Sequence, residues 1–150
     1  MRSRTANWFI CKIRYDKLME DGLQKKVTEQ YVVDALSFSE AEARIIEEMK
    51  RYISGEFDVV EIDRCVFKDI FFSDDAQADK WYKSKLQFIT IDENTEKEKR
   101  SNVYYLVQGS SLENARKNID EVMGGTMIDY VISSVSETKI MDVFEYTKSK

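Results

Sequence analysis

Two stretches decide how this chain is read: Trp8-Phe9-Ile10-Cys11-Lys12-Ile13-Arg14-Tyr15 and, 73 residues further on, Trp81-Tyr82-Lys83-Ser84-Lys85-Leu86-Gln87-Phe88. Phe9, Cys11, Ile13 and Tyr15 occupy every second position of the first, and Tyr82, Ser84, Leu86 and Phe88 every second position of the other. Side chains alternate across a strand, so a period of two marks a half-buried strand. Those two sets are the expected core faces.

The segments that follow each stretch also correspond. Polar runs at 16–26, with Asp21-Gly22, and 92–100, with Asp92-Glu93-Asn94, read as hairpin connections. Second strands are expected at 27–36 and 102–108, with Tyr31-Val32-Val33 lying over Tyr104-Tyr105-Leu106 at the same spacing of 73. Helices come next, at a spacing of 74: Phe38, Ala41, Ile45 and Met49 fall over Leu112, Ala115, Ile119 and Met123. Steps of three and four residues place each set on one helical face.

Ser37 and Ser111 stand where a hydroxyl can cap the first turn. Ser37 with Glu40 completes a capping box, which Asn114 at the matching place does not. Gly124-Gly125 should stop the second helix, and the first is expected to run to Ser54-Gly55. Third strands follow at 57–67 and 127–135, with Asp58-Val59-Val60 matched to Asp129-Tyr130-Val131. Asp69-Ile70-Phe71 and Asp142-Val143-Phe144 close the two halves as short fourth strands.

The expected fold class is therefore α+β, with two tandem strand–strand–helix–strand repeats, 1–73 and 74–150, in a single domain spanning 1–150. Half a chain of this size buries a marginal core, so the halves should pack together or share a sheet about a pseudo-twofold axis. Antiparallel sheet with the helices on one face is the natural arrangement.

Composition narrows the chemistry. Among 150 residues there is no His and no Pro, five Gly and two Cys; 43% are hydrophobic and 34% charged. A missing His excludes Ser–His–Asp and Cys–His sites, a His base and His-containing zinc sites. No P-loop, dinucleotide fingerprint or nucleophile elbow occurs. Asp74, Asp75 and Asp79, and Asp92, Glu93 and Glu96, lack the order and the glycine of a calcium loop, and read as solvated turn acids. No catalytic residue, metal site or cofactor is expected, and the chain is read as non-enzymatic, with an enzyme working through Lys, Tyr or carboxylate groups as the alternative. Cys11 and Cys65, without a C-x-x-C, suit buried free thiols in a reducing cytoplasm. Nowhere do 18 apolar residues follow one another, so no membrane segment is expected.

The run Thr28-Glu29-Gln30-Tyr31-Val32-Val33-Asp34-Ala35-Leu36-Ser37-Phe38-Ser39-Glu40-Ala41-Glu42-Ala43-Arg44 resembles a small family from Bacteroidetes and their phages, catalogued as a domain of unknown function. Lys80-Trp81-Tyr82-Lys83, Phe88-Ile89-Thr90 and Thr138-Lys139-Ile140-Met141-Asp142-Val143-Phe144 carry the same resemblance. It implies a phage or gut-bacterial setting and assigns no substrate, cofactor or catalytic residue.

What remains is the outward face of the first strands. Trp8, Ile10, Lys12 and Arg14 stand opposite the core set of one half, and Trp81, Lys83, Lys85 and Gln87 opposite that of the other. Trp8, Lys12, Arg14, Trp81, Lys83 and Lys85 are the candidate binding residues. Rings and cations on one sheet face suit single-stranded nucleic acid or a nucleotide. Trp, Tyr and Arg equally suit a protein or homodimer interface. Lysines on strands also simply keep edges soluble. The net charge of −5 weighs against nucleic acid. A cytoplasmic accessory protein that binds a partner or ligand, through this face or a groove between repeats, is the leading expectation.

Overall fold

The computed structural model describes residues 1–146. Two compact units make up the described residues, one from Met1–Thr5 and Val66–Thr138, the other from Ala6–Cys65 and 139–146.

The second of these is a four-stranded sheet. It contains β2 (Trp8–Leu18), β3 (Gln24–Asp34), β4 (Phe57–Arg64) and β9 (Ile140–Phe144), in the order β4-β2-β3-β9. Helix α1 (Phe38–Met49) lies on one face of it. Phe9, Cys11 and Ile13 of β2 pack with Val33, Ala35 and the α1 stripe Ala41, Ile45 and Met49, all of them buried. Ser37 Oγ accepts from Glu40 N–H at 3.2 Å, the expected N-cap. Contrary to expectation, α1 does not reach Gly55. Its ladder tightens after Met49, where Tyr52 and Ile53 both donate to the Met49 carbonyl.

The five-stranded unit contains β1 (Arg2–Arg4), β5 (Asp69–Phe72), β6 (Lys80–Ile91), β7 (Glu98–Gly109) and β8 (Tyr130–Glu137), in the order β1-β5-β7-β6-β8. Helix α2 (Leu112–Gly124) covers Tyr82, Leu86, Tyr105, Val107 and Phe71 with Ala115, Ile119 and Met123. Ser111 caps it through Asn114 N–H at 3.1 Å. The helix stops at the glycine pair, although Gly125 stays right-handed at φ −81° and Thr126 Oγ1 donates to the Met123 carbonyl instead. Gly109 is needed for contact with α2: a Cβ there would meet the Ala115 backbone at 3.1 Å.

The architecture is mixed α and β, as read from the sequence, and three details are corrected. First, the sheets are not purely antiparallel. β5 runs parallel to β7 and β9 parallel to β3. Each closing strand leaves the sheet of the strand before it: β5 follows β4 yet joins β7, and β9 follows β8 yet joins β3. A connection to a different sheet removes the requirement that neighbours in sequence form an antiparallel hairpin.

Second, the register of the second strands shifts by one. Tyr31, Val32 and Val33 face Cys11, Ile10 and Phe9, while Tyr105, Leu106 and Val107 face Ser84, Lys83 and Tyr82. Tyr31 thus corresponds to Tyr105, not Tyr104. Third, Phe57 faces Tyr15 and Tyr130 faces Phe88, so Asp58 corresponds to Val131, not Asp129. Apolar runs such as Tyr-Val-Val tolerate either alignment on paper, whereas a slip in the sheet would turn every side chain over.

Candidate functional site

The outward faces of the two sheets carry the six candidate residues, and their surroundings differ. Trp8 and Trp81 are each only 3% exposed. The Trp81 ring meets Phe72 edge-on, with centroids 5.7 Å apart. Both rings, placed by the sequence on outward strand faces with their exposure left open, are closed to solvent. Alternation assigns a side chain to a face and does not say whether that face is covered at that point.

On the four-stranded sheet the cations have anionic neighbours. Lys12 faces Glu61 across β2 and β4, and its Nζ lies 2.8 Å from Glu61 Oε2. Arg14 faces Asp58 in the same register and points Nε at Thr28 Oγ1, 3.5 Å away. Glu61 is held below the usual carboxylate range, first by its hydrogen bond from Lys12. Asp63 rises above its ordinary value, chiefly through its hydrogen bond with Glu61, and Lys12 rises through its bond to the same carboxylate. All three lie in open solvent, where such pairs contribute little to stability. Their effect here is on charge: Lys12 is paired with Glu61, and Arg14 has Asp58 opposite it in register.

The five-stranded sheet lacks that match. Lys83 stands between Leu106 and Ser136, and Lys85 between Tyr104 and Ser134. Among the described residues neither lysine forms an ion pair. Lys83 Nζ sits 5.1 Å from the centre of the half-buried Tyr104 ring, a cation–π contact. Further along, Arg100 donates to Gln87 Oε1 and Gln87 Nε2 to Asn102 Oδ1, both at 3.3 Å. The structure thus brings Lys83 and Lys85 together with Tyr104, Ser134 and Ser136, which the sequence reading passed over. Alternation within β7 could have placed Tyr104 outward; the serines needed the register of β8.

Reactive groups are quiet in this fold. Burial pushes the free thiols of Cys11 and Cys65 up to about 12, which keeps them protonated at neutral pH. Each unit also has an open groove between its helix and its outer strand. One, of about 340 Å³, is lined by Phe38, Glu42, Val59 and Ile62, and the other, of about 290 Å³, by Leu112, Arg116, Ile132 and Val135.

Residues 7–146 match the model of a family described as Domain of unknown function (DUF4494). The chain belongs to this family. The matched span takes in both helices and strands β2 to β9. No curated protein matches the chain. No helix among the described residues is long and apolar enough to cross a membrane.

Proposed function

We propose that this is a non-enzymatic, cytoplasmic accessory protein of a phage or mobile element that acts by binding, through the outward face of its five-stranded sheet, an acidic surface on a partner protein. One observation carries the reading: Lys83 and Lys85 face Ser136, Ser134, Leu106 and Tyr104, whereas Lys12 and Arg14 face Glu61 and Asp58. Unmatched cations on a partly apolar face favour a carboxylate-bearing partner.

A second reading rests on Tyr104. A half-buried ring beneath Lys83, with Lys85 beside it, suits a base stacked on an aromatic platform and a phosphate held by lysine. Single-stranded nucleic acid or a small nucleotide is the ligand of that reading. The burial of both tryptophans, which leaves neither indole free to stack a base, favours the protein partner over it.

Anisotropy titrations against labelled polyglutamate and a labelled single-stranded oligonucleotide separate the two. Binding of polyglutamate that weakens with salt and disappears in Lys83→Glu with Lys85→Glu supports the protein-binding face; oligonucleotide binding with the same dependence favours the second reading. Failure of both probes to bind at low salt overturns both.

The same proposal takes 1–73 and 74–150 as two copies of one repeat. Support comes from the ladders: β2 against β4 slips between Lys12 and Ile13, and β6 against β8 between Lys85 and Leu86, 73 residues on.

A further inference from the structure

Of the edge strands β1, β4, β8 and β9, the two longest are β4 and β8, and among the described residues each pairs on one side only, through seven residues and a bulge. Cys65 N–H donates to the Trp8 carbonyl at 2.8 Å, and Thr138 N–H to the Trp81 carbonyl at 2.9 Å. Antiparallel alternation then turns the backbone groups of Ile62 and Arg64, and of Val135 and Glu137, to the open edge. Ile62 and Val135 also line the two helix–strand grooves. An added strand would therefore meet free backbone groups and an apolar groove side by side, the arrangement used in strand addition.

The two edges differ in charge. β4 carries Asp58, Glu61 and Asp63 against a single cation, Arg64, an edge guarded by net negative charge. β8 reads Tyr130-Val131-Ile132-Ser133-Ser134-Val135-Ser136-Glu137, with no charge before its last residue. Glu42 and Arg116 make the contrast sharper. Each is exposed, each lines its groove, and each is the fifth residue after the capping serine. They occupy the same place with opposite sign. Near them, Phe38 is 46% and Leu112 53% exposed, apolar surface that docking would cover.

We infer that the β4 edge of one copy pairs antiparallel with the β8 edge of a second copy, setting Glu42 of one against Arg116 of the other. Joining like edges would instead oppose Glu42 to Glu42 or Arg116 to Arg116, which like-charge repulsion disfavours. Because the two surfaces are different, the contact repeats from copy to copy, as a ring where the rotation closes and a fibre where it does not. The contact uses neither Lys83 nor Lys85, so it stands apart from the sheet-face reading.

Sedimentation velocity of the full chain over a concentration series tests this. The wild-type chain is expected to gain mass with concentration, less so at high salt. Glu42→Arg alone and Arg116→Glu alone should each weaken self-association by at least about tenfold. A mixture of the two variants should associate, since every contact between unlike chains then joins opposite charges, and the double variant should recover. Circular dichroism checks that these exposed positions leave the fold intact. A wild-type chain that stays monomeric at low salt overturns the inference, as do single variants that associate like wild type or a mixture that fails to associate.

Discussion

The two units solve one problem with different chemistry. In each, the chain leaves a closing strand and, within two residues, a backbone N–H is held by a side-chain oxygen near the end of the neighbouring strand. In the four-stranded unit Tyr146 N–H donates to Asp34 Oδ1 at 2.8 Å; in the five-stranded unit Ser73 N–H donates to Gln108 Oε1 at 2.9 Å. A helix residue then fastens the holder. Arg44 donates to the Asp34 carbonyl and pairs with its carboxylate, while Asn118 Nδ2 donates to the Gln108 carbonyl at 2.9 Å. One latch is charged and the other neutral. The lesson is that the geometry of the hold is what the fold requires, and that charge is an option with a cost, since ions withdrawn from water must be fully compensated.

The latches give the largest expected difference. Asp34 is 7% exposed, and Asp34→Ala leaves the Arg44 guanidinium without its carboxylate in a site where its side chain is only 11% exposed. Loss of one member of a buried pair costs about 3–5 kcal/mol. Gln108→Ala forfeits the bonds to Ser73 N–H and the Ala78 carbonyl, both at 2.9 Å, and should cost about 1–3 kcal/mol. Urea denaturation of the two variants checks the order. Asp34→Gln with Arg44→Asn, which copies the neutral latch, should lose far less than Asp34→Ala. Equal losses for Asp34→Ala and Gln108→Ala would erase the distinction between the latches.

How much of this was legible depends on which interactions follow local order. The strand faces and helix stripes were, because Phe9, Cys11, Ile13, Ala41, Ile45 and Met49 all enter one core at the spacings that alternation and helical pitch impose. The capping serines were legible for the same local reason. The latches were not: Tyr146 meets Asp34 across 112 residues, and no periodicity records which sheet a closing strand joins. The candidate face lies between these cases. Alternation put Lys12 and Lys85 on outward faces, yet whether a cation meets Glu61 or Ser134 is decided by a neighbouring strand's register. Sequence order alone does not contain that register when apolar runs permit a slip.

A smaller contrast lies inside the two cores. Cys11 faces Tyr31 on β3, and Ser84 faces Tyr105 on β7, so thiol and hydroxyl hold the same station, both fully buried. Among the described residues Ser84 Oγ has no hydrogen-bond partner. A buried thiol behaves as a small apolar group, whereas an unsatisfied hydroxyl keeps its desolvation cost. Ser84→Cys is therefore expected to raise stability by about 1 kcal/mol, and Cys11→Ser to lower it by about 1–3 kcal/mol. The urea midpoints of these two exchanges would sharpen the comparison most if they move in opposite directions. A stabilised Cys11→Ser would show that the four-stranded core supplies an acceptor which the five-stranded core lacks.

The smallest expected effect is one of pH. In the four-stranded unit Tyr15 and Tyr31 both donate to Glu29 Oε1, at 2.9 and 3.0 Å, beside Lys17 at 3.5 Å from Oε2. The corresponding positions in the five-stranded unit are filled by Phe88, Tyr105 and Val103, none of which is a carboxylate. Burial, then the hydrogen bond to Glu29, pushes the Tyr15 hydroxyl up to about 12. A phenol raised in the folded state retains its proton longer than in the unfolded chain. Its contribution is complete below its unfolded value near pH 10 and declines as pH climbs toward 12. Because Tyr15 is only partly buried, solvent screening holds this to less than about 1 kcal/mol. Urea midpoints measured at intervals between pH 9 and pH 12 should fall less steeply in Tyr15→Phe, which gives this unit the residue that Phe88 supplies in the other. Parallel profiles for the two proteins would mean that the hydroxyl loses its proton as readily in the fold as out of it, and that the polar cluster around Glu29 does not distinguish the units at alkaline pH.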